Sequence, residues 1–140
     1  MEYKVVENSI DVEDFIELYK TSGWCLFSTE VFSKALKNSY FSVGIYINNK
    51  LIGFGRVISD GAMYAWVQDM IIHPEYQQKG FGTIVVKRIL DKLRKDGIPF
   101  VGLFSAEGKK EFYFKNGFRE RPENAPGMYI DLFEKYKSIG

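Results

Sequence analysis

A single mixed α/β domain is the fold class that the sequence predicts. Two amphipathic helices come first, three strands joined by short turns follow, and strands then alternate with helices before two final strands. The 140 residues are one domain's length and no repeat or linker interrupts them, so we place one domain over 1–140. With 46% hydrophobic residues the chain has enough apolar surface for a core, which excludes a disordered protein.

The N-terminal part predicts a short strand over 3–6 and then two helices. Asp11 is the expected N-cap of the first helix, and Gly23 ends it. The second helix begins near Ser28 or Thr29. Each helix has an apolar stripe at helical spacing, which predicts that one face packs on a core. The stripes are Val12, Phe15, Ile16 and Tyr19, and then Val31, Phe32, Ala35 and Leu36.

Three strands are predicted next, because β-branched and aromatic residues are frequent between residues 40 and 72. Asn48 and Asn49 form the turn between the first two strands, and Asp60 with Gly61 forms the next turn. Consecutive strands joined by such short turns pair antiparallel, so this part of the sheet is a meander. The predicted strands are 40–47, 51–58 and 63–72.

The second half of the chain alternates helices and strands. Gly80 and Gly82 precede an amphipathic helix, and Gly97 ends it before Pro99 starts a strand. Gly117 is the expected residue after the end of another helix. The predicted elements are helices ending at Lys95 and over 107–116, and strands over 100–104, 118–119 and 128–133.

Charge and cysteine content argue against several classes of protein. The 19 Lys and Arg residues and 18 Asp and Glu residues leave a net charge of +1, so the basic excess typical of nucleic-acid-binding or membrane-surface proteins is missing. Cys25 and His73 are the only cysteine and histidine, too few for a Cys/His metal site. The sequence has no signal-peptide or membrane-spanning pattern, and we expect a cytoplasmic protein without nucleic-acid or membrane partners.

The stretch from Val67 to Thr83 carries the main functional signal. It runs from a strand through a short loop to the start of a helix, where Gly80 and Gly82 leave the backbone uncovered. Unpaired N–H groups at the positive end of a helix bind anions, and a diphosphate suits such a site. The lysine of a Walker loop and the third glycine of a dinucleotide-binding fingerprint are both missing. A plain helix-start turn is the alternative interpretation of this pattern alone.

Two motifs resemble those of the Gcn5-related N-acetyltransferase (GNAT) family. Residues 72–82, Ile-His-Pro-Glu-Tyr-Gln-Gln-Lys-Gly-Phe-Gly, are similar to its acetyl-CoA-binding motif, and residues 112–118, Phe-Tyr-Phe-Lys-Asn-Gly-Phe, are similar to its Phe-Tyr-x-Lys-x-Gly-Phe segment. The likeness spans residues 40–133 and implies a mixed, mostly antiparallel central sheet flanked by helices. Residues 66–69, with Arg121-Pro and residues 126–128, also resemble the branch of small-amine and arylalkylamine acetyltransferases.

The resemblance implies acetyl-CoA as cosubstrate, no metal, and a set of binding residues. The pantetheine arm would lie between strands four and five, which splay apart in the family, along the backbone of residues 70–72. The pyrophosphate would lie on the N–H groups of residues 78–83 near the Gln77 side chain, with two lysines in reach of phosphate. The residues so assigned are Met70, Ile71, Ile72, Gln77, Gln78, Lys79, Gly80, Phe81, Gly82, Thr83 and Lys115.

Tyr113 and Asp69 are the candidate catalytic residues. By its motif position Tyr113 resembles an acid that faces the CoA sulfur, and a core aromatic residue is the alternative. Asp69 is a candidate base, or else a hydrogen-bonded structural group. Alternation along the strand puts Gln68 and Trp66 on the face opposite Asp69, unless a β-bulge shifts the phase. Gln68 is a candidate for holding a relaying water.

The predicted activity is direct transfer of acetyl from acetyl-CoA to a primary amine of a small molecule. No cysteine or serine with an adjacent base is visible, which argues against an acyl-enzyme. An amine with a pKa of about 10.4 is only about one part in 10³ neutral at pH 7. Its deprotonation then costs roughly 4–5 kcal/mol, so a base that takes the proton is expected. The alternative is an acyl-CoA-binding sensor or interaction module without turnover. The resemblance also allows a homodimer, which nothing in the sequence tests.

Overall fold

A five-stranded sheet with helices on both faces makes up the computed structural model, which describes residues 2–136. The strands are β1 (Lys4–Glu7), β2 (Phe41–Ile47), β3 (Lys50–Ser59), β4 (Tyr64–Ile72) and β5 (Phe100–Gly102). The α-helices are α1 (Val12–Tyr19), α2 (Thr29–Lys37), α3 (Phe81–Lys95) and α4 (Lys110–Lys115). Short 3-10 helices occupy Lys20–Ser22, Pro74–Tyr76 and Glu134–Tyr136.

The strands lie in chain order across the sheet, and only the last pair is parallel. β1 to β4 pair antiparallel with their neighbours, whereas α3 carries the chain back so that β5 pairs parallel to β4. The β2–β3 turn has positive φ at both Asn48 and Asn49, as a two-residue type I′ hairpin requires. The mixed, mostly antiparallel sheet expected from the sequence is confirmed.

Side-chain caps fix where the first two helices begin. Asp11 accepts hydrogen bonds from the N–H groups of Glu13 and Asp14 at 2.8 and 3.3 Å. Ser28 accepts one from the N–H of Val31 at 3.2 Å. Asp11 is the predicted cap, and Ser28 lies at the predicted start of the second helix, because capping depends on residues close together in the sequence.

Two apolar clusters hold the helices on opposite faces of the sheet. The larger cluster lies under α3 and includes Val85, Ile89 and Leu93. The smaller cluster lies under α1 and α2 and includes Phe15 from α1 and Phe54 from β3, both almost fully buried. Phe15 lies in the apolar stripe predicted for the first helix, whose packing on a core is confirmed.

The strands predicted over 118–119 and 128–133 are wrong. Neither range is a strand, and the side chains of residues 128–133 lie largely in solvent. Aromatic and β-branched composition favours a strand only where neighbours cover the side chains, and no element within residues 2–136 covers these. The helix predicted over 107–116 is shorter, because Glu107 and Gly108 form a turn in which Gly108 has a positive φ.

Within residues 2–136 no helix has the length and apolar character that crossing a membrane requires. The single domain over 1–140 and the cytoplasmic location stay predictions.

Candidate active site

A β-bulge interrupts β4 at Asp69. The pairing of the two strands passes from Arg56 opposite Gln68 to Phe54 opposite Ile71, so β4 carries one residue more than β3 at this point. Asp69 takes a φ of 57°, which is uncommon for a residue other than glycine. The extra residue shifts the phase of the side chains along the rest of the strand.

Because of this bulge, Gln68 and Asp69 lie within contact distance of each other. The Gln68 Nε2 group is 3.4 Å from Asp69 Oδ1, and Trp66 Nε1 donates to Gln68 Oε1 at 3.2 Å. Strict alternation, which put Trp66 and Gln68 on the opposite face, is wrong for this reason. The three side chains form a connected row that leads from the indole to the carboxylate.

Asp69 is a buried carboxylate with a charged partner. It is 7% exposed, and its Oδ2 atom accepts a hydrogen bond from Arg56 Nε at 2.6 Å. Arg56 Nη1 lies 3.3 Å from Ser39 Oγ and 3.5 Å from the Ala35 carbonyl, so the guanidinium connects β4 with the end of α2. A buried charge needs such a partner. The ion pair fixes the carboxylate and leaves Oδ1 facing Gln68.

Arg56 and Tyr19 belong to this site, and the sequence reasoning missed both. The signal for Arg56 was a charged residue inside the apolar run 51–58, where burial demands a partner. Tyr19 ends α1 and is 2% exposed. Burial raises the pKa of Tyr19 to about 12, and the negative charge of Asp69 adds to the rise. The Tyr19 hydroxyl therefore keeps its proton at neutral pH.

An opening forms between β4 and β5. Tyr64, Ala65 and Trp66 pair with Phe100–Gly102, but from residue 67 to residue 72 no strand within the described chain pairs with this side of β4. Two parallel strands that part after three residue pairs leave free backbone N–H and C=O groups along the wall of the gap. An extended ligand can pair with such an edge as an added strand does.

The backbone of residues 70–72 runs along this gap, and their side chains pack against the core on the two faces of the sheet. Met70 and Ile72 pack against the cluster under α3, and Ile71 belongs to the cluster under α1 and α2. The side chain of Gln77 donates to the Ile72 carbonyl at 2.9 Å, so that carbonyl already has one partner. The Gln77 amide thus connects the end of β4 to the loop that precedes α3.

The start of α3 has no side-chain cap. Gly80, at the N-cap position, has a φ of 89°, and Gln78 has a positive φ as well. The first intrahelical bond runs from the Ile84 N–H to the Gly80 carbonyl, so the N–H groups of residues 81–83 have no partner within the described residues. Three unpaired donors at the positive end of a 15-residue helix suit a phosphate group.

The assigned side chains around this helix start differ in exposure. Gln78 and Lys79 are exposed and Thr83 is half-buried, whereas Phe81 is buried in the core, so Phe81 has only its N–H to offer. A Cβ on Gly82 would lie 3.1 Å from Cζ of Phe112, closer than nearly all real contacts of this kind. Packing against α4 is therefore one reason for glycine at position 82.

Tyr113 lies buried on α4, beside the start of α3. Its neighbour Phe112 lies against Gly82, and its own ring makes edge contacts with Phe112 and Phe118 at centroid distances of 5.1 and 5.7 Å. Burial raises the pKa of Tyr113 to about 12, and no group within residues 2–136 bonds its hydroxyl. This hydroxyl is a proton donor still without an acceptor. Lys115, at the end of α4, is exposed.

His73 and Cys25 have structural contacts. His73 Nδ1 accepts from the Glu75 N–H at 3.1 Å and so caps the short helix Pro74–Tyr76. Cys25 is half-buried, and its Sγ lies 3.2 Å from the Lys135 carbonyl. Among residues 2–136, no three His, Cys, Asp or Glu side chains are grouped as a metal ion would need.

Comparison with known proteins identifies the family. Residues 38–120, more than half of the chain, match the family model described as an acetyltransferase (GNAT) domain. This chain belongs to the GNAT acetyltransferase family. A GNAT relative from Pyropia yezoensis, named "uncharacterized N-acetyltransferase ycf52", is 30% identical over 131 residues, which cover 91% of this chain and 75% of that protein.

Two further comparisons bear on this GNAT domain. The histone acetyltransferase TAP1 of Glycine max is 30% identical over 131 residues, covering 86% of this chain and 57% of that protein. The crystal structure of SA2161 from Staphylococcus aureus, described as a probable acetyltransferase of unknown function, superposes with a TM-score of 0.84 at 27% identity, covering 94% of this chain and 100% of that one. The GNAT domain is thus an acetyltransferase of a family that uses acetyl-CoA, while the resemblance to the small-amine and arylalkylamine branch stays a prediction.

Proposed function

We propose that this GNAT domain transfers acetyl from acetyl-CoA directly to the primary amine of a small molecule. The observation that carries the proposal is the opening between β4 and β5, which lies next to the bulged Asp69. The uncapped start of α3 follows β4 after a short loop. Donors for a diphosphate, an edge for an extended arm and a buried carboxylate are therefore close along one strand and one helix.

The residues present fit acetyl-CoA, which supplies the acetyl group as a thioester when it is bound. The N–H groups of residues 81–83 would hold the pyrophosphate, and Gly80 adds no side chain at their edge. The backbone of residues 70–72 would hold the pantetheine arm. Lys79 and Lys115 are exposed lysines that would reach phosphate as point charges.

Tyr113 is our candidate acid. A thiol with an ordinary pKa of about 8.5 leaves as a thiolate, which gains from a hydrogen-bond donor. With its pKa raised to about 12 by burial, Tyr113 carries its proton throughout the neutral range. Its hydroxyl would donate that proton to the departing sulfur.

Asp69 is our candidate base, acting through a water held by Gln68. Arg56 occupies Oδ2, so Oδ1 is the atom left to accept a proton, and it already faces the Gln68 amide at 3.4 Å. Asp69 and this water would together remove the proton from the acceptor's ammonium group, a deprotonation that costs roughly 4–5 kcal/mol at pH 7. Arg56 would act as a positioning residue that keeps the carboxylate turned toward Gln68.

Aromatic residues near Asp69 favour a small alkyl or aromatic amine as the acceptor. The half-buried Trp24 ring makes an edge contact with Tyr19 at a centroid distance of 5.6 Å. Tyr19 in turn lies close enough to Asp69 for the carboxylate charge to raise the pKa of its hydroxyl. Aromatic faces also attract an ammonium group before its proton is removed. A long cationic peptide would need an acidic surface, which a net charge of +1 does not suggest.

The test is release of free thiol from acetyl-CoA in the presence of a panel of amines. We expect release with small aromatic or alkyl amines, and much slower release with a lysine-rich histone-tail peptide at the same amine concentration. Thiol release with the peptide but with none of the small amines would indicate a protein acceptor and contradict the proposal. Tight CoA binding without release for any acceptor would favour the acyl-CoA sensor.

A further inference from the structure

A polar cleft lies on the face of the sheet that α1 and α2 cover, between the loop before α1, the end of α2 and the start of β2. It has a volume of about 500 Å³, which is within the range of small-molecule sites. Its polar lining includes Asn8, Ser9, Ser33, Lys37, Ser39 and Ser42, none of which we assign to acetyl-CoA. Because polar side chains from three elements meet here, the cleft can offer several hydrogen bonds to one small ligand.

The hydroxyl of Ser42 opens into this cleft without a hydrogen-bond partner. Ser42 is 5% exposed, and its backbone N–H and C=O both pair with Asn8, whereas no group within residues 2–136 bonds its side chain. Phe41 and Val43 belong to the cluster under α3, so alternation turns Ser42 toward the cleft. A polar group held in a buried position favours a partner, and a ligand in the cleft would supply one.

Positive charge predominates in the lining. Lys37 ends α2, and no carboxylate in the described part of the chain lies within ion-pair distance of its ammonium group. Asp11 is the acid nearest to the cleft in sequence, and its carboxylate caps α1. At the end of α2 the Ala35 carbonyl already accepts from Ser39 Oγ at 2.9 Å. The charge of the lining therefore favours an anion.

Apolar side chains line the rest of the cleft. Ile10, Val12 and Leu36 contribute to it, and all three pack with the cluster under α1 and α2. Ile10 is buried and the other two are half-buried, so this wall is held rigidly by the core. An inorganic ion gains nothing from such a wall, whereas a hydrocarbon chain placed on it leaves water.

We propose that this cleft binds a small monocarboxylic acid at a site separate from that of acetyl-CoA. The carboxylate would accept from the Lys37 ammonium group and from the Ser42 hydroxyl, and such charge-assisted hydrogen bonds are the strong ones. The hydrocarbon part of the acid would lie on the three apolar side chains.

The cleft also borders the ion pair of Arg56 and Asp69. Ser42 lies opposite Arg56 in the pairing of β2 with β3, and Ser39 Oγ is 3.3 Å from Arg56 Nη1. An anion bound here would attract the guanidinium and weaken its hold on Asp69. Binding in the cleft does not require Asp69 to be the base, whereas an effect of the bound acid on turnover rests on that proposed role.

The test is an NMR titration of the chain with hexanoate and butyrate, using hexanamide as the uncharged control and running each titration with and without CoA. We expect the amide signals of residues 8–12 and 33–42 to shift and saturate, with a Kd on the order of 1 mM for hexanoate. Butyrate should bind about fivefold more weakly, because its chain covers less of the apolar wall. CoA should change neither affinity, and the Arg56 Nε–H signal should shift with the others.

Lys37→Gln and Ser42→Ala remove the charge and the hydroxyl, and each should weaken hexanoate binding about fivefold or more. Lys34→Gln is the matched control, since Lys34 is an exposed lysine three residues earlier on α2 that does not line the cleft. It should bind hexanoate like wild type, and circular dichroism should show all three variants folded.

Three results would overturn the site in the cleft. Hexanamide that binds as tightly as hexanoate would remove the role of the charge. Binding that survives both Lys37→Gln and Ser42→Ala, or shifts confined to residues 78–83, would place the acid elsewhere on the chain. An Arg56 signal that does not move at saturation would contradict the coupling to Asp69.

Discussion

Residues 64–96 and residues 118–136 contrast in how far the local sequence determines their structure. The first region is a strand, a loop and a helix. The strand was predicted over 63–72 and the helix to end at Lys95, and the structure has the strand at Tyr64–Ile72 and the helix end at Lys95. The second region has a comparable content of apolar residues, yet neither predicted strand forms there.

An apolar pattern therefore predicts a helix or strand only where the rest of the chain can cover the apolar side chains. The stripe of α3 meets a sheet face of the same chain and is buried. Residues 128–133 find no such face within the described chain, and their apolar side chains lie largely in solvent.

The largest expected effect contrasts one leucine from each region. Leu93→Ala should lower the free energy of unfolding by about 2–5 kcal/mol, because Leu93 is 1% exposed and its loss leaves a cavity. Leu132→Ala should cost less than about 0.5 kcal/mol, since its side chain is already in water. Urea unfolding followed by circular dichroism measures the free energy of unfolding of both variants. Equal losses for the two would contradict the difference in burial between the two regions.

Tyr113→Phe tests the segment that connects the two regions. The change removes only the hydroxyl, so we expect kcat to fall roughly 10- to 10³-fold while CoA affinity and melting temperature stay nearly constant. Steady-state kinetics with the best acceptor and calorimetry with CoA measure these quantities. If kcat stays within about twofold of wild type, Tyr113 is a packing residue and water protonates the leaving sulfur.

The same substitution has a signature in alkaline stability. Burial raises the pKa of Tyr113 from 10.0 to about 12, so the folded state holds this proton more tightly than the unfolded state. The resulting contribution to stability is complete below pH 10 and is lost as the pH rises through about 12. Wild type should therefore lose more stability than Tyr113→Phe across that window, and parallel losses would show that the hydroxyl is not buried.

Asp69→Asn tests whether the carboxylate at the bulge of β4 acts as the base. We expect turnover to fall about 10- to 100-fold near neutral pH and to recover partly at higher pH, where more of the acceptor is already neutral. A lower melting temperature is expected in either case because Arg56 loses its partner. The ratio of Asp69→Asn to wild-type turnover, measured as a function of pH, distinguishes a base from a structural group. A ratio that does not change with pH would show that Asp69 is structural.

Gly82→Val has the smallest expected effect, about a tenfold loss of CoA affinity measured by calorimetry. Its side chain would meet Phe112 and the predicted phosphate position together. Combining it with Phe112→Leu separates the two causes. We expect the loss to persist in the double variant, whereas full recovery would assign it to packing against α4.

Local rules of sequence explain most of what could be predicted. The caps at Asp11 and Ser28 and the glycines around α3 act on their own neighbours in the chain, so the sequence shows them directly. The ion pair of Arg56 and Asp69 depends on the register of β3 against β4 and on a bulge, neither of which a single sequence specifies. The strand predicted over 128–133 is wrong because burial depends on the rest of the fold, which the local sequence does not show.

An amide NMR titration of the chain with CoA tests directly whether the cosubstrate binds along β4 and at the start of α3. We expect the amide signals of residues 70–72 and 78–83 to shift together and saturate with one affinity, while those of residues 128–133 change little. Saturable shifts confined to other parts of the chain, with residues 78–83 unaffected, would contradict the assignment of the cosubstrate to the start of α3.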